Sequence, residues 1–197
     1  MNQFPLRPLA AVFYPVSASD PLAAVPRFAI FTIIGALALT LSAKAQIPLP
    51  LVPLNLQTLV LLLIGATFGA RMAVASVAAY LLEGAVGMPV FAFTPEKGIG
   101  LAYMAGPTGG FLASYIPAAF LIGWFAERGA DRSLIRLAAV MVAAEILVFS
   151  MGFGWLSTFV GVQKAWTFGV APFLLADALK VALAATLVIG VGKLVRR

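Results

Sequence analysis

RFAIFTIIGALALTLSA, from Arg27 to Ala43, decides the fold class. Between Arg27 and Lys44 no side chain is ionisable, and apolar residues recur at every helical spacing rather than along one stripe. A helix that is hydrophobic on all sides is buried in a large core or in lipid. The rest of the chain has the same character. Of its 197 residues, 62% are hydrophobic and only 10% charged, and the mean hydropathy is +1.06, where soluble domains are roughly half apolar. Such a chain takes lipid as its solvent.

Working outward from that stretch, each bilayer crossing needs about 20 residues to traverse a hydrocarbon core about 30 Å thick. The sequence predicts an all-α integral membrane protein with about six such helices in one bundle. The first runs from Pro26 to Ala43. The connector Lys44 to Asn55 carries Pro48, Pro50 and Pro53 and is expected to be extended or re-entrant, because closely spaced prolines cannot continue a helix. The second span is Leu56 to Ala70 and the third Met72 to Met88, followed by a turn-rich loop, Phe91 to Gly106. The fourth opens at Pro107 and reaches Phe125, the fifth is Leu137 to Trp155, and the sixth begins near Pro172 and ends at Lys193. Prolines at the first turn of a helix cost no hydrogen bond. Residues 1–25, with four prolines and Asp20, read as a loose or interfacial N-terminal segment rather than a secretory signal. Residues 26–197 form the six-helix membrane domain.

Retained positive charge sets topology. Arg7, Arg27, Arg71, Arg128, Arg132, Arg136, Lys193, Arg196 and Arg197 fall on the side of the termini, and Lys44, Lys97 and Lys164 on the other. Both termini are therefore expected in the cytoplasm and the proline-rich connector outside. The basic residues sit at the edges of apolar runs and form no continuous stripe, which excludes a nucleic-acid surface despite the net charge of +6. With no Cys and no His, disulfides, thiol nucleophiles, imidazole bases and the usual zinc ligands drop out. There is no Walker A pattern, so ATP hydrolysis would require another polypeptide. No enzymatic role, metal or cofactor is expected.

Ionisable groups inside membrane spans are costly and call for a reason. Asp177 and Lys180, three residues apart, share a helix face within reach of each other. They either clasp a ligand with both donors and an acceptor or neutralise each other. Gly106, Pro107, Thr108, Gly109 and Gly110 read as a helix start whose bare amides attract anions, or as small residues that allow close packing. Glu83 and Glu145 are placed inside spans, where each could be protonated, bonded across helices or snorkelling. On the first helix, Thr32, Ala36 and Thr40 form one row of small residues, and Ala38 and Ser42 the next. Such rows let a second membrane helix approach closely, from a partner or from within the bundle.

The ordered set IPLPLVPLNLQ (Ile47 to Gln57), TLVLLLIGATFGAR, YLLEGAVGMPVFA (Tyr80 to Ala92), GPTGGFLASY (Gly106 to Tyr115) and PFLLADALK (Pro172 to Lys180) resembles the BioY family. Its members are biotin-specific substrate-binding components of energy-coupling factor transporters. The resemblance implies a subunit of the bacterial plasma membrane that binds biotin from outside and works with a transmembrane coupling protein and two ATPases. It implies that Asp177 and Lys180 are paired polar ligands and that Gln57, Tyr103, Gly106, Pro107, Thr108 and Gly110 lie around the pocket. Asn55 stands where the family often has Thr, and Phe111 where it often has Tyr. The segment Phe93 to Gly100, FTPEKGIG, replaces a more glycine-rich loop. Biotin brings two ureido N–H donors, a carbonyl acceptor, an apolar ring and chain, and a carboxylate, which suits an apolar cavity with a few convergent polar groups. Asp177 can accept the ureido N–H groups, and Lys180 can meet the ureido oxygen or the carboxylate. The small-residue rows are expected to dock the coupling protein. An alternative is a stand-alone secondary transporter, with Glu83 or Glu145 as its proton relay.

Overall fold

The computed structural model describes residues 21–195. Helix α1 is Pro21–Lys44, so residues 21–25, expected in the loose segment, belong to the first helix. The remainder of that segment, together with Arg7, Arg196 and Arg197 of the charge count, lies outside the described residues. Pro26 falls in the second turn of α1, where it removes one helical hydrogen bond.

The proline-rich connector folds back on itself. Strands β1 (Gln46–Ile47) and β2 (Leu54–Asn55) pair antiparallel, with Gln46 opposite Asn55 and Ile47 opposite Leu54. The all-α expectation is thus corrected by one small hairpin. Pro48, Pro50 and Pro53 forbid a helix here, and extended backbone satisfies its polar groups by pairing. Val52 and Pro53 turn inward and are buried.

Helix α2 (Gln57–Phe68) follows at once and is only 12 residues long, about 18 Å at 1.5 Å per residue. Helix α3 (Ala70–Ala85) begins after a single glycine. Gly69 has φ 81° and ψ 169°, a backbone region open to glycine almost alone, so the chain reverses there in one residue. The Glu127 carboxylate accepts the Ala70 N–H at 2.9 Å and ties this corner to the end of α5.

The loop after α3 contains a short helix, α4 (Gly100–Met104), that the sequence did not announce. Helix α5 is Gly109–Ala126, and a 3₁₀ turn at Ala130–Arg132 leads to α6 (Leu134–Val160), then α7 (Val162–Gly169) and α8 (Leu174–Val195). Pro107 and Pro172 each precede their helix by two residues rather than opening its first turn.

Among the described residues, four helices are long and apolar enough to cross a membrane: α1 from Val25, α5, α6 and α8, with mean hydropathies of 1.7, 1.5, 2.1 and 2.0. Helix α5 packs on α2, α3 and α6, while α8 lies against α2 and α6, and α1 against α3 and α2. Fully buried alanines, among them Ala73, Ala118, Ala119, Ala184 and Ala185, let the backbones approach closely. The outward faces are equally apolar: Ile33, Leu37 and Leu41 on α1, and Leu175, Leu179 and Leu183 on α8, are exposed. A protein whose outside is as greasy as its core is a membrane protein.

Candidate functional site

The short α2 starts well inside the bundle, and that start is polar. Asn55 Oδ1 accepts the Gln57 N–H at 3.1 Å, and Asn55 Nδ2 donates to Gln57 Oε1 at 2.8 Å. Gln57 Nε2 in turn donates to the Tyr80 hydroxyl on α3 at 2.6 Å. Gln57 is buried, and this chain of bonds fixes its side-chain amide.

Thr58, one residue on, reaches α8. Its hydroxyl donates to Asp177 Oδ1 at 2.9 Å and accepts from Lys180 Nζ at 2.9 Å. Lys180 and Asp177 are paired at 2.6 Å through the same Oδ1. The three groups thus close a ring between two helices, and all three are buried. Asp177 sits in the first turn of α8, where the helix dipole favours a carboxylate. Among the described residues no donor reaches Asp177 Oδ2, and Lys180 keeps one N–H without an acceptor. The ring neutralises itself and still offers one acceptor and one donor.

Asp177 and Lys180 line a partly open cavity with about 60 Å³ of water-accessible volume. Besides Asp177, Lys180, Gln57 and Thr58 it is lined by Tyr103 and Thr108, by Val52 and Pro53 of the hairpin, and by Phe111, Tyr115, Phe149 and Phe173. Tyr103 donates its hydroxyl to the Ala92 carbonyl at 2.7 Å and stacks on Phe91 with ring centroids 5.2 Å apart. Burial pushes its phenol above the usual range, so it stays a neutral donor. Behind this layer, Lys44 at the end of α1 donates to the carbonyls of Phe91 and Thr94, at 2.9 and 2.8 Å, and to the Thr94 hydroxyl at 3.0 Å.

Of the residues read as pocket-lining, Asp177, Lys180, Gln57, Tyr103 and Thr108 come together at this cavity. Gly106 and Pro107 instead line a second recess beside it, with Lys97 and Phe93, which shares Tyr103 and Thr108 with the main cavity. Gly110 lines neither: a side chain there would meet Trp155 and the Met151 carbonyl of α6. The helix start is closely packed at Gly109 and Gly110, with no room for a side chain. The Gly109 N–H is taken by the Gly106 carbonyl at 3.0 Å, and that carbonyl also accepts the Trp155 indole N–H at 2.8 Å.

The small-residue rows of α1 divide. Ala36 and Ser42 are buried in the bundle, whereas Thr32, Ala38 and Thr40 are partly exposed. Ala36 and Ser42 thus pack within the chain and are not a free docking surface. Glu83 is half-buried on α3 and does not line the cavity. Sequence reasoning missed Thr58, the residue that joins the pair to α2. Its signal was its position beside Gln57 at the first polar step into an apolar run.

Residues 17–197 match the BioY family model. The chain is 35% identical over 157 residues to a biotin transporter BioY of Thermotoga maritima, covering 79% of this chain and 90% of that one. It is 34% identical over 167 residues to a biotin transporter BioY of Rhodobacter capsulatus, covering 76% and 86%. Its fold superposes on the crystal structure of the S-component for biotin from an ECF-type ABC transporter with a TM-score of 0.76, at 22% identity over 88% of this chain and 94% of that one. With a family match that spans nearly the whole sequence and relatives aligned along most of their own length, the chain belongs to the BioY family.

Proposed function

We propose that this chain is the biotin-binding subunit of a membrane vitamin importer. The observation that carries the reading is the Asp177–Thr58–Lys180 ring, which presents one free acceptor and one free donor to an apolar cavity. Biotin's ureido group has the complementary pattern: its N–H donates to Asp177 Oδ2 and its carbonyl oxygen accepts from Lys180. The thiophane ring and acyl chain lie along Phe111, Tyr115 and Phe173. The carboxylate points past Tyr103 and Thr108 toward the second recess, where Lys97 supplies a positive charge.

Six crossings are assigned to α1, α2, α3, α5, α6 and α8, with both termini in the cytoplasm, supported by the nine basic residues on that side against three on the other. The two helices below full crossing length, α2 and α3, are completed by the hairpin and by the loop after Ala85. The membrane is the plasma membrane. The chain carries no nucleotide motif, so uptake draws on a transmembrane coupling protein, which docks through the outward side of α1, and on two ATPase subunits. Calorimetry of the purified protein tests the reading. Biotin should bind at one per chain, and thiamine and riboflavin should give no heat of binding; equal binding of all three, or of none, overturns it.

A further inference from the structure

One buried charge plays no part in the ring. Glu145 lies midway along α6, only 7% exposed, and neither carboxylate oxygen has a hydrogen-bond partner among the described residues. It lines a recess between α6 and α8 whose other walls include Val142, Ile146, Leu174 and Val181. Phe149 and Asp177 line both this recess and the main cavity, so the two spaces share a wall.

The ionisable groups that act on Glu145 are Asp177 and Lys180 from α8, and Tyr115 from α5. From α2 the ring presents the neutral Thr58. Lys164 on α7, and Asp131 and Arg132 on the 3₁₀ turn, belong to the two ends of α6, away from its middle. Asp177 and Lys180 already neutralise each other at 2.6 Å. A charge on Glu145 would therefore have neither a counter-ion of its own nor a hydrogen-bond donor, in hydrocarbon surroundings where a bare carboxylate is costly. A metal cation in that place would need several oxygen ligands, and the side chains of the recess offer only two carboxylates among apolar groups. The ion that fits is a proton, taken from water and held on the carboxylate as COOH.

We propose that Glu145 is a proton-binding site whose occupancy sets the affinity of the adjoining cavity for biotin. When Glu145 loses its proton, the new charge draws the Lys180 ammonium toward α6 and away from the ligand. It also adds a negative charge beside a cavity that receives an anion. Both effects weaken binding, so affinity is full where Glu145 is protonated and falls as pH rises through its titration. By linkage, biotin binding takes up a proton in that range.

The inference rests on the biotin reading of the cavity, and the experiment separates the two. Biotin is titrated calorimetrically into the purified full-length chain between about pH 6 and about pH 9, in buffers of different ionisation heat. The parent should lose affinity about five-fold or more across the range and take up a fraction of a proton on binding. Glu145→Gln should bind like the low-pH parent throughout with no proton uptake, and exchanging sodium for potassium should change nothing. An affinity flat in pH, a pH slope that survives in Glu145→Gln, or a dependence on sodium overturns the proton site. If the variant does not fold, zero proton uptake by the parent alone overturns it. A parent that binds no biotin at any pH overturns the reading of the cavity, and the proton site with it.

Discussion

Thr58 gives the ring its geometry, because one hydroxyl both donates to Asp177 and accepts from Lys180. Thr58→Val keeps the shape and deletes both bonds. A hydrogen bond to a charged group is worth about 1.5–3 kcal/mol, so biotin affinity should fall by about ten-fold or more while the melting temperature in detergent moves little. Asp177→Asn and Lys180→Met test a different question. If the pair only neutralises itself, each single change leaves an unpaired buried charge, and the double change recovers most of the loss. If the pair grips biotin, each single change weakens binding by roughly ten-fold to a hundred-fold, and the double variant is no better than either. We expect the second pattern from equilibrium titration of all three variants in one detergent. Near-parental binding by the double variant would make the ring structural.

At the scale of elements, the brevity of α2 opens the cavity. A 12-residue helix is too short to span the hydrocarbon core, and its polar start, Gln57 and Thr58, is buried and shares the cavity wall with Val52 and Pro53 of the hairpin. The wall opposite is a loop, and Lys44 fastens it through three hydrogen bonds to Phe91 and Thr94. Lys44→Met should speed biotin release by roughly ten-fold while the association rate stays near parental, since interface changes act mostly on dissociation. Lys44→Arg should restore part of the residence time in stopped-flow experiments. A slower association with unchanged release would rule out the fastening role. On α1, Ala36 is 1% exposed and Ala38 is partly exposed. Ala36→Leu should therefore overpack the bundle at a cost of about 1–3 kcal/mol and lower the melting temperature of the subunit itself. Ala38→Leu should leave melting unchanged and reduce co-purification with the coupling protein. Equal melting temperatures for the two variants would remove the distinction.

Across the whole molecule, what the sequence disclosed follows from which forces act locally. The apolar runs that became α1, α5, α6 and α8 are evident because lipid demands them residue by residue. Their ends shifted by several residues: α6 begins at Leu134 and runs to Val160, past the expected limits of Leu137 and Trp155, because apolarity does not say where a helix leaves the bilayer. Helices α4 and α7 escaped notice because each is short and broken from its neighbour by a glycine or a turn. At Gly161, φ 80° ends α6 and lets α7 start one residue later. Asp177 and Lys180 were legible as a pair because helical spacing alone brings them together. Thr58 was not, because its partners lie 119 and 122 residues away, and only the packing of α2 on α8 makes them neighbours. Gly110 is the converse: the motif was legible, but its close packing against Trp155 depends on α6. Biotin is expected in the cavity between the hairpin, α5 and α8, with its ureido group on the ring, and a crystal structure of the chain grown with biotin would reveal its pose. A ureido N–H should lie on Asp177 Oδ2, the ureido oxygen on Lys180, and the carboxylate toward Lys97. Biotin seated elsewhere, or turned with its carboxylate on Lys180, would contradict this arrangement.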